Sequence, residues 1–518
     1  MAERKPFYQT TAIDYPNSRP HIGTAFEKIG ADVQARYRRM EGYDVHFLMG
    51  NDENTVKVAK KAAELGQDVQ AYCNDMAGQF KEVWQALEIS YDEFVQTSEP
   101  RHHRCARHFI QKVFDNGHIY KGSYEGWYCD GCESFKTETD VKEHQGICPS
   151  HKTPYVRRGE PCYFFAQSKF QDRLLQYFEE NPSFIQPESR RNEMLKYVQG
   201  GLEDVNITRS GQSWGIKVPF DETFTIWVWF DALLTYFTGI GYASDDAKFA
   251  KWWPADIHFI GKDITRFHCA LWPAMLFAAG LEPPRMVFSH GFVYNKGGKI
   301  SKSLGTVIEP MEVITKFSAE AFRYYFMREC PFPSDGDFTW ERFAEVYNAD
   351  LANNLGNLYS RCVTLIAKNY GGCLRESGGR QPGVIYTEVD TEAAVKQVQQ
   401  HLEKCQYNLA LEKIWRLILD PTNQYADKKE PWKLVKSDLT AAGHVLYDMV
   451  EQLRIAAILL KPFLPRSAET IYKSFNFPQS WDQVRYEDVW VRPTQVEDLR
   501  LLAALEDGKV KPLFPRIN

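Results

Sequence analysis

The first fifty residues leave this chain little choice of fold. Phe7 to Ile13 is an apolar run of strand length, and beyond Thr24 the residues Phe26, Ile29, Val33, Tyr37 and Met40 recur every three or four positions until Gly42. Asp44 to Gly50 is apolar again. The spacing predicts strand, helix with one apolar stripe, then strand. Such a unit within one sheet is parallel and right-handed. Ligands of parallel sheets bind at the carboxyl ends of the strands, where His21 and Asp52 fall.

The alternation resumes late. Ile257–Gly261 and Met286–Ser289 are short apolar runs separated by a helical stretch from Cys269 to Ala279. The residues between, about 120 to 210, interrupt the sheet. Beyond Phe338 the periodicity turns helical: Val346 to Tyr370, Glu392 to Asp420 and Leu439 to Leu460 each predict a long helix, with Pro421 and Pro462 just past two of them. The glycine-rich, polar stretch 373–391 reads as a loop inside that α-bundle. At 518 residues the chain is long enough for about three domains.

The interruption carries a ligand pattern. Cys129-x2-Cys132 and Cys148-x2-His151 form two close pairs, flanked by Gly131, Gly146 and Pro149 that permit tight turns. Four such ligands suit one tetrahedral, structural zinc, with a redox pair or ordinary buried thiols as the plainer alternative. The remaining cysteines of the eleven are scattered, as in a reducing compartment. No apolar run approaches the roughly 20 residues of a membrane helix, and the N-terminus lacks the apolar stretch of a signal peptide, so a cytoplasmic location is expected. The net charge of −6 leaves any RNA contact to local basic patches.

Two short segments suggest nucleotide chemistry. Pro20-His21-Ile22-Gly23-Thr24 opens the first helix, where backbone N–H groups and the helix dipole favour phosphate oxygens. Gly297-Gly298 precedes Lys299-Ile300-Ser301-Lys302-Ser303, a loop whose lysines and hydroxyls suit a polyphosphate. No GxxxxGK[ST] loop or glycine-rich dinucleotide fingerprint is present. The two segments resemble the HIGH-like and KMSKS-like signatures of the class I aminoacyl-tRNA synthetases, departing at Thr24, where a second histidine usually stands, and at Ile300 in place of methionine.

Within that class, Trp229-Phe-Asp-Ala-Leu-Leu-Thr-Tyr236, Phe259-Ile-Gly-Lys-Asp263 and His268 resemble segments of the methionyl-tRNA synthetases, and the cysteine and histidine pairs resemble the single zinc knuckle of the bacterial type. The resemblance implies a Rossmann-like doubly wound parallel sheet, split into 1–119 and 211–294 by a zinc-knuckle insertion at 120–210. A loop and stem-contact region at 295–345 and an all-α anticodon-binding domain at 346–518 would follow. It implies catalysis by His21, Lys299 and Lys302, with Gly23, Thr24, Gly261 and Asp263 also around ATP. Asp52 and Tyr15 would hold the amino group of L-methionine, while Ile13, Trp229, Ala232, Tyr236 and His268 surround its thioether. Asn357, Arg361 and Trp432 would read the CAU anticodon of tRNA(Met). Mg2+ would accompany ATP, one zinc would sit on Cys129, Cys132, Cys148 and His151, and a monomer is expected because no appended tRNA-binding module follows. A sister class I synthetase for an aliphatic amino acid or cysteine, a non-catalytic tRNA-binding paralogue and a simpler nucleotidyltransferase are the competing readings.

Overall fold

The computed structural model describes residues 4–129, 134–136, 138–149, 152–299, 307–375, 389–490, 498–503, 505–506 and 509–517. Its centre is a six-stranded, all-parallel sheet of β1 (Pro6–Thr11), β2 (Asp44–Asn51), β3 (Glu93–Gln96), β4 (Ile185–Gln186), β5 (Ile257–Gly261) and β6 (Val287–His290), in the order β3-β2-β1-β5-β6-β4. The order reverses between β1 and β5. A crevice therefore opens outside their carboxyl ends.

Helix α1 (Ile22–Met40) makes the crossover from β1 to β2. Its stripe of Phe26, Ile29, Val33, Tyr37 and Met40 is buried as the spacing predicts, and Gly42, at φ 89°, takes the turn a side chain would disfavour. Gly30 faces Phe332 so closely that a Cβ there would lie 2.2 Å from the ring.

Residues 119–206 contain an antiparallel sheet in the order Ser134–Lys136, Ile119–Cys129, Val156–Phe165, Val205–Asn206. Its two long strands pair without a break from Ile119 opposite Phe165 to Tyr128 opposite Val156. Past the sheet the chain is helical. Trp340 to Tyr370 runs on through a wide turn at Tyr347–Gly356, and Leu439–Leu460 is one helix of 22 residues.

The helix expected from Glu392 to Asp420 is broken. It stops at Glu403, Cys405 adopts φ 53°, and a new helix starts at Tyr407. Pro421 does not end a helix; the helical run that starts at Tyr407 widens at Trp415–Leu419, just before the proline, and continues to Lys429. Among the described residues no helix is long and apolar enough to cross a membrane.

One guanidinium joins these parts. Arg323, 0% exposed on helix Ala319–Glu329, pairs with Asp32 of α1 at 2.7 Å and donates to the carbonyls of Leu87, Pro462 and Phe463 at 3.2, 2.9 and 2.9 Å. Burial raises the pKa of Asp32, but Arg36, Arg323 and Ser90 outweigh it and hold the carboxyl at about 2. Arg323→Leu would leave Asp32 to Arg36 and Ser90, and three buried carbonyls without their donor, and is expected to destabilise the chain by about 3 kcal/mol, read as a lowered thermal midpoint and faster proteolysis between residues 330 and 460.

Candidate active site

At the carboxyl ends of β1 and β2 the backbone stays zipped beyond the strands. Asp14 N–H donates to Gly50 O at 3.0 Å and Asp52 N–H to Asp14 O at 2.8 Å, while Ala12 N–H bonds Phe259 O across to β5 at 2.9 Å. This places Ile13, Tyr15 and Asp52 side by side at the switch point. A cleft of about 390 Å³ lies over it, lined among others by Ile13, Tyr15, Arg19, His21, Gly23, Thr24, Gly261 and Asp263.

His21 is the N-cap of α1. Its Nδ1 accepts from the N–H groups of Gly23 and Thr24 at 3.1 and 3.2 Å, so in the neutral ring the proton lies on Nε2. The two amides expected to face a phosphate are thus taken up by the ring that caps them. Gly23 is needed for this, because a Cβ would stand 3.0 Å from two ring atoms. Ile22 N–H donates to Ile308 O at 3.0 Å, which fastens the start of α1 to the segment that follows the second signature. On the other flank of that signature Lys299 pairs with Tyr294 in a short hairpin. Lys302 lies outside the described residues, as does the side chain of Lys299.

Beneath the cleft is a charge cluster with no counterpart in the sequence reading. Lys28, 0% exposed, donates to Ala12 O at 2.7 Å and Glu27 at 2.6 Å and lies 3.1 Å from Asp14. The other oxygen of Glu27 meets His290 Nε2, at the end of β6, at 2.8 Å. Burial disfavours the Lys28 ammonium, yet Asp14 and Glu27 outweigh it and raise its pKa.

Beside the cleft lies an apolar, aromatic corner. Trp229, on the short helix Val228–Ala232, stacks on Phe267 at 3.9 Å and meets His268 edge-on at 6.4 Å. Tyr236, from Thr235–Thr238, donates to His268 Nε2 at 2.8 Å, and His268 Nδ1–H points to Ile264 O at 3.2 Å. Ala232, Tyr236 and His268 are buried.

Asp52, 4% exposed, is the odd charge here. Tyr15 hydrogen-bonds to it, but its Oδ1 is buried without a hydrogen-bond partner among the described residues. Burial first, then the charges of Asp231 and Glu53, push its pKa well up. Such a carboxylate is suited to an ammonium ion. Asp231 is itself held by His102 at 2.5 Å and Asn54 at 2.8 Å.

Two further groups of predicted residues stand elsewhere. Arg361 lies over the indole of Trp432 at 4.5 Å and pairs with Asp427 at 3.0 Å, while Asn357 is exposed one turn earlier on the same helix. In the insertion, Cys129 ends a strand opposite Ser134. Cys148, 1% exposed, accepts at its carbonyl from Lys152 N–H and donates its own N–H to Thr153 O. Trp127, Val141, Cys148 and Tyr155 share a small cluster. Cys132, His151 and the side chain of Cys129 lie outside the described residues.

Comparison with known proteins covers the whole outline. Residues 7–162 and 147–363 match the family described as tRNA synthetases class I (M), and residues 379–496 match the anticodon binding domain of methionyl tRNA ligase. The methionine–tRNA ligase of Caldanaerobacter subterraneus subsp. tengcongensis is 41% identical, over 99% of this chain and 79% of that protein. That of Bacillus subtilis is 40% identical, over 100% and 78%. A solved structure of Mycobacterium tuberculosis methionyl-tRNA synthetase in complex with methionyl-adenylate superimposes with a TM-score of 0.87 at 38% identity, over 99% of this chain and 100% of that one.

Burial pushes the pKa of His268 down from 6.5 to about 4, so the folded ring is neutral. The unfolded chain takes up a proton near pH 6.5 and the folded chain only near 4. The stability this residue contributes is therefore full above pH 6.5 and lost as pH falls towards 4, in all about 3 kcal/mol. His268→Gln is expected to show a shallower fall of the urea midpoint over that range, equivalent to about one proton fewer bound on unfolding.

Proposed function

The chain belongs to the methionine-specific class I tRNA synthetases, and from that membership we infer what its own residues do. It is an ATP-dependent methionine–tRNA ligase, which activates L-methionine to methionyl-adenylate and transfers it to tRNA(Met). Identity of about 40% over the full chain, joined to a buried carboxylate beside an aromatic corner at the switch point, carries the reading. It leaves no ground for the sister synthetases, the inactive paralogue or the simpler nucleotidyltransferase.

Activation joins a methionine carboxylate oxygen to the α-phosphorus of ATP and expels pyrophosphate, so positioning and charge stabilisation suffice and no enzyme nucleophile is needed. In our reading Gly23, Thr24, Gly261 and Asp263 shape the nucleotide seat, His21 offers its Nε2–H to phosphate oxygens, and Lys299 and Lys302 meet the polyphosphate. Mg2+ would travel with ATP, bound mainly by phosphate oxygens and water.

The unpartnered Oδ1 of Asp52, with Tyr15 beside it, takes the ammonium. Ile13, Trp229, Ala232, Tyr236 and His268 take the side chain. Tyr236 spends its proton on His268, and His268 spends its own on Ile264, so the corner offers neither charge nor a free donor. A polarisable thioether suits such a wall better than a hydroxyl or a charge.

For the tRNA, the Arg361–Trp432 pair presents a guanidinium and an indole on one surface, with Asn357 adjacent, a combination suited to splayed anticodon bases. Reading of CAU by these three residues, in the cytoplasm where tRNA and ATP are held, completes the proposal.

Zinc on Cys129, Cys132, Cys148 and His151 fits the strand end at Cys129 and the buried Cys148. The core found among the described residues there, three buried residues and one tryptophan, is small for a subdomain to be held by it alone, and four ligands without an open position supply folding energy rather than chemistry.

Two experiments test this. Pyrophosphate exchange into ATP is expected to require methionine in preference to leucine, valine or cysteine. Asp52→Asn is expected to raise the methionine KM by at least about a hundredfold, the loss of one charge-assisted pair, with the ATP KM nearly unchanged. Chelation with metal analysis is expected to release about one zinc per chain and to expose residues 120–160 to protease; release of no metal would remove the knuckle.

A further inference from the structure

Among the described residues, the cleft read above as the ATP seat is short of cations. Its described lining includes the carboxylates Asp14, Glu27 and Asp263, and Arg19 is the one lysine or arginine among the described residues that line it. Lys28 lies beneath, already committed to Ala12, Glu27 and Asp14. A triphosphate adds several negative charges to that surface.

Arg19 stands at the rim with its side chain 59% exposed. Its Nε donates to Gln79 Oε1 at 2.8 Å, from helix Val69–Ala86, and its Nη1 lies 3.9 Å from Glu309, the residue before helix Pro310–Lys316. An exposed pair of that length is a weak one. A phosphate that accepts two parallel bonds from a guanidinium is a stronger partner. The arginine is thus adjacent to the cleft, weakly held and chemically matched to what the cleft must bind.

We propose that Arg19 is a further catalytic residue of methionine activation: it binds the β- and γ-phosphates of ATP and the departing pyrophosphate, and Gln79 and Glu309 hold it at the rim between turnovers. The inference rests on the cleft being the ATP seat. In the step, a methionine carboxylate oxygen forms a bond to the α-phosphorus as the bond from that phosphorus to the bridging oxygen breaks. The electron pair stays on the β-phosphate oxygen and no proton need move. Negative charge grows on the leaving group beside Arg19, so its pull is greater in the transition state than in bound ATP.

The test uses the full chain and its Arg19→Ala, Arg19→Lys and Glu309→Gln variants. Methionine-dependent pyrophosphate exchange is followed at varied ATP, pyrophosphate and methionine, with single-turnover adenylate formation alongside. Arg19→Ala is expected to raise the KM for ATP and for pyrophosphate about tenfold and to slow adenylate formation about a hundredfold, with the methionine KM within about twofold. Arg19→Lys recovers part of the loss, and Glu309→Gln lowers the pyrophosphate KM.

Wild-type KM values for ATP and pyrophosphate in Arg19→Ala overturn the proposal, as does an equal rise in the methionine KM, which would mark general damage. An unchanged pyrophosphate KM in Glu309→Gln overturns the holding role. Absence of exchange in the wild-type chain instead overturns the reading of the cleft itself.

Discussion

The ammonium of Lys28 is what the catalytic end of the sheet is assembled around. It is fully buried, and an isolated lysine in that position would lose its proton rather than remain charged. It stays charged because Asp14 and Glu27 stand against it, and Glu27 in turn holds His290. One cation thereby ties the end of β1, the first turns of α1 and the end of β6, the three elements that border the crevice. Removing any member would leave a buried charge unmatched, which costs far more than the pair is worth in itself.

Against that balanced cluster the amino-acid side of the site is built from imbalance. Asp52 is buried beside two other carboxylates and has no cation, so it favours its neutral form until an ammonium arrives. Next to it the aromatic corner is closed upon itself: each polar hydrogen of Tyr236 and His268 already has an acceptor. On the function proposed above, the amino group and side chain of methionine would be told apart by opposite strategies, an unmet charge for one and complete internal satisfaction for the other.

How much of this was legible in the sequence follows from the range over which each signal acts. The strand–helix–strand opening is local, and Phe26, Ile29, Val33, Tyr37 and Met40 announce it through spacing alone. The resemblance grouped Tyr15, Asp52, Trp229 and His268; the structure joins Tyr15 to Asp52 and sets Trp229 edge-on to His268. The charge cluster could not be read, because Glu27-Lys28 within an amphipathic helix looks like a solvated face; only the contact of Glu27 with His290, 263 positions away, gives it meaning. His102, 129 positions from Asp231, was hidden for the same reason. The break at Cys405 was missed because its neighbours keep apolar helical spacing on both sides, and Pro421 was misread as a stop because the widened turn at Trp415–Leu419 that lets a helix pass through a proline leaves no mark in the spacing.

Arg323 has a consequence for scale. Its fork of hydrogen bonds clamps α1, the turn at Leu87 and the corner at Pro462–Phe463 to a single side chain that water does not reach. The helical half that carries Arg361 and Trp432 and the sheet that carries the cleft are in this way joined through one buried side chain. On the function proposed above, such a joint would act as a caliper: the span between its two ends would be set by the protein, and an RNA of the wrong arm length would be refused by geometry before any base is inspected.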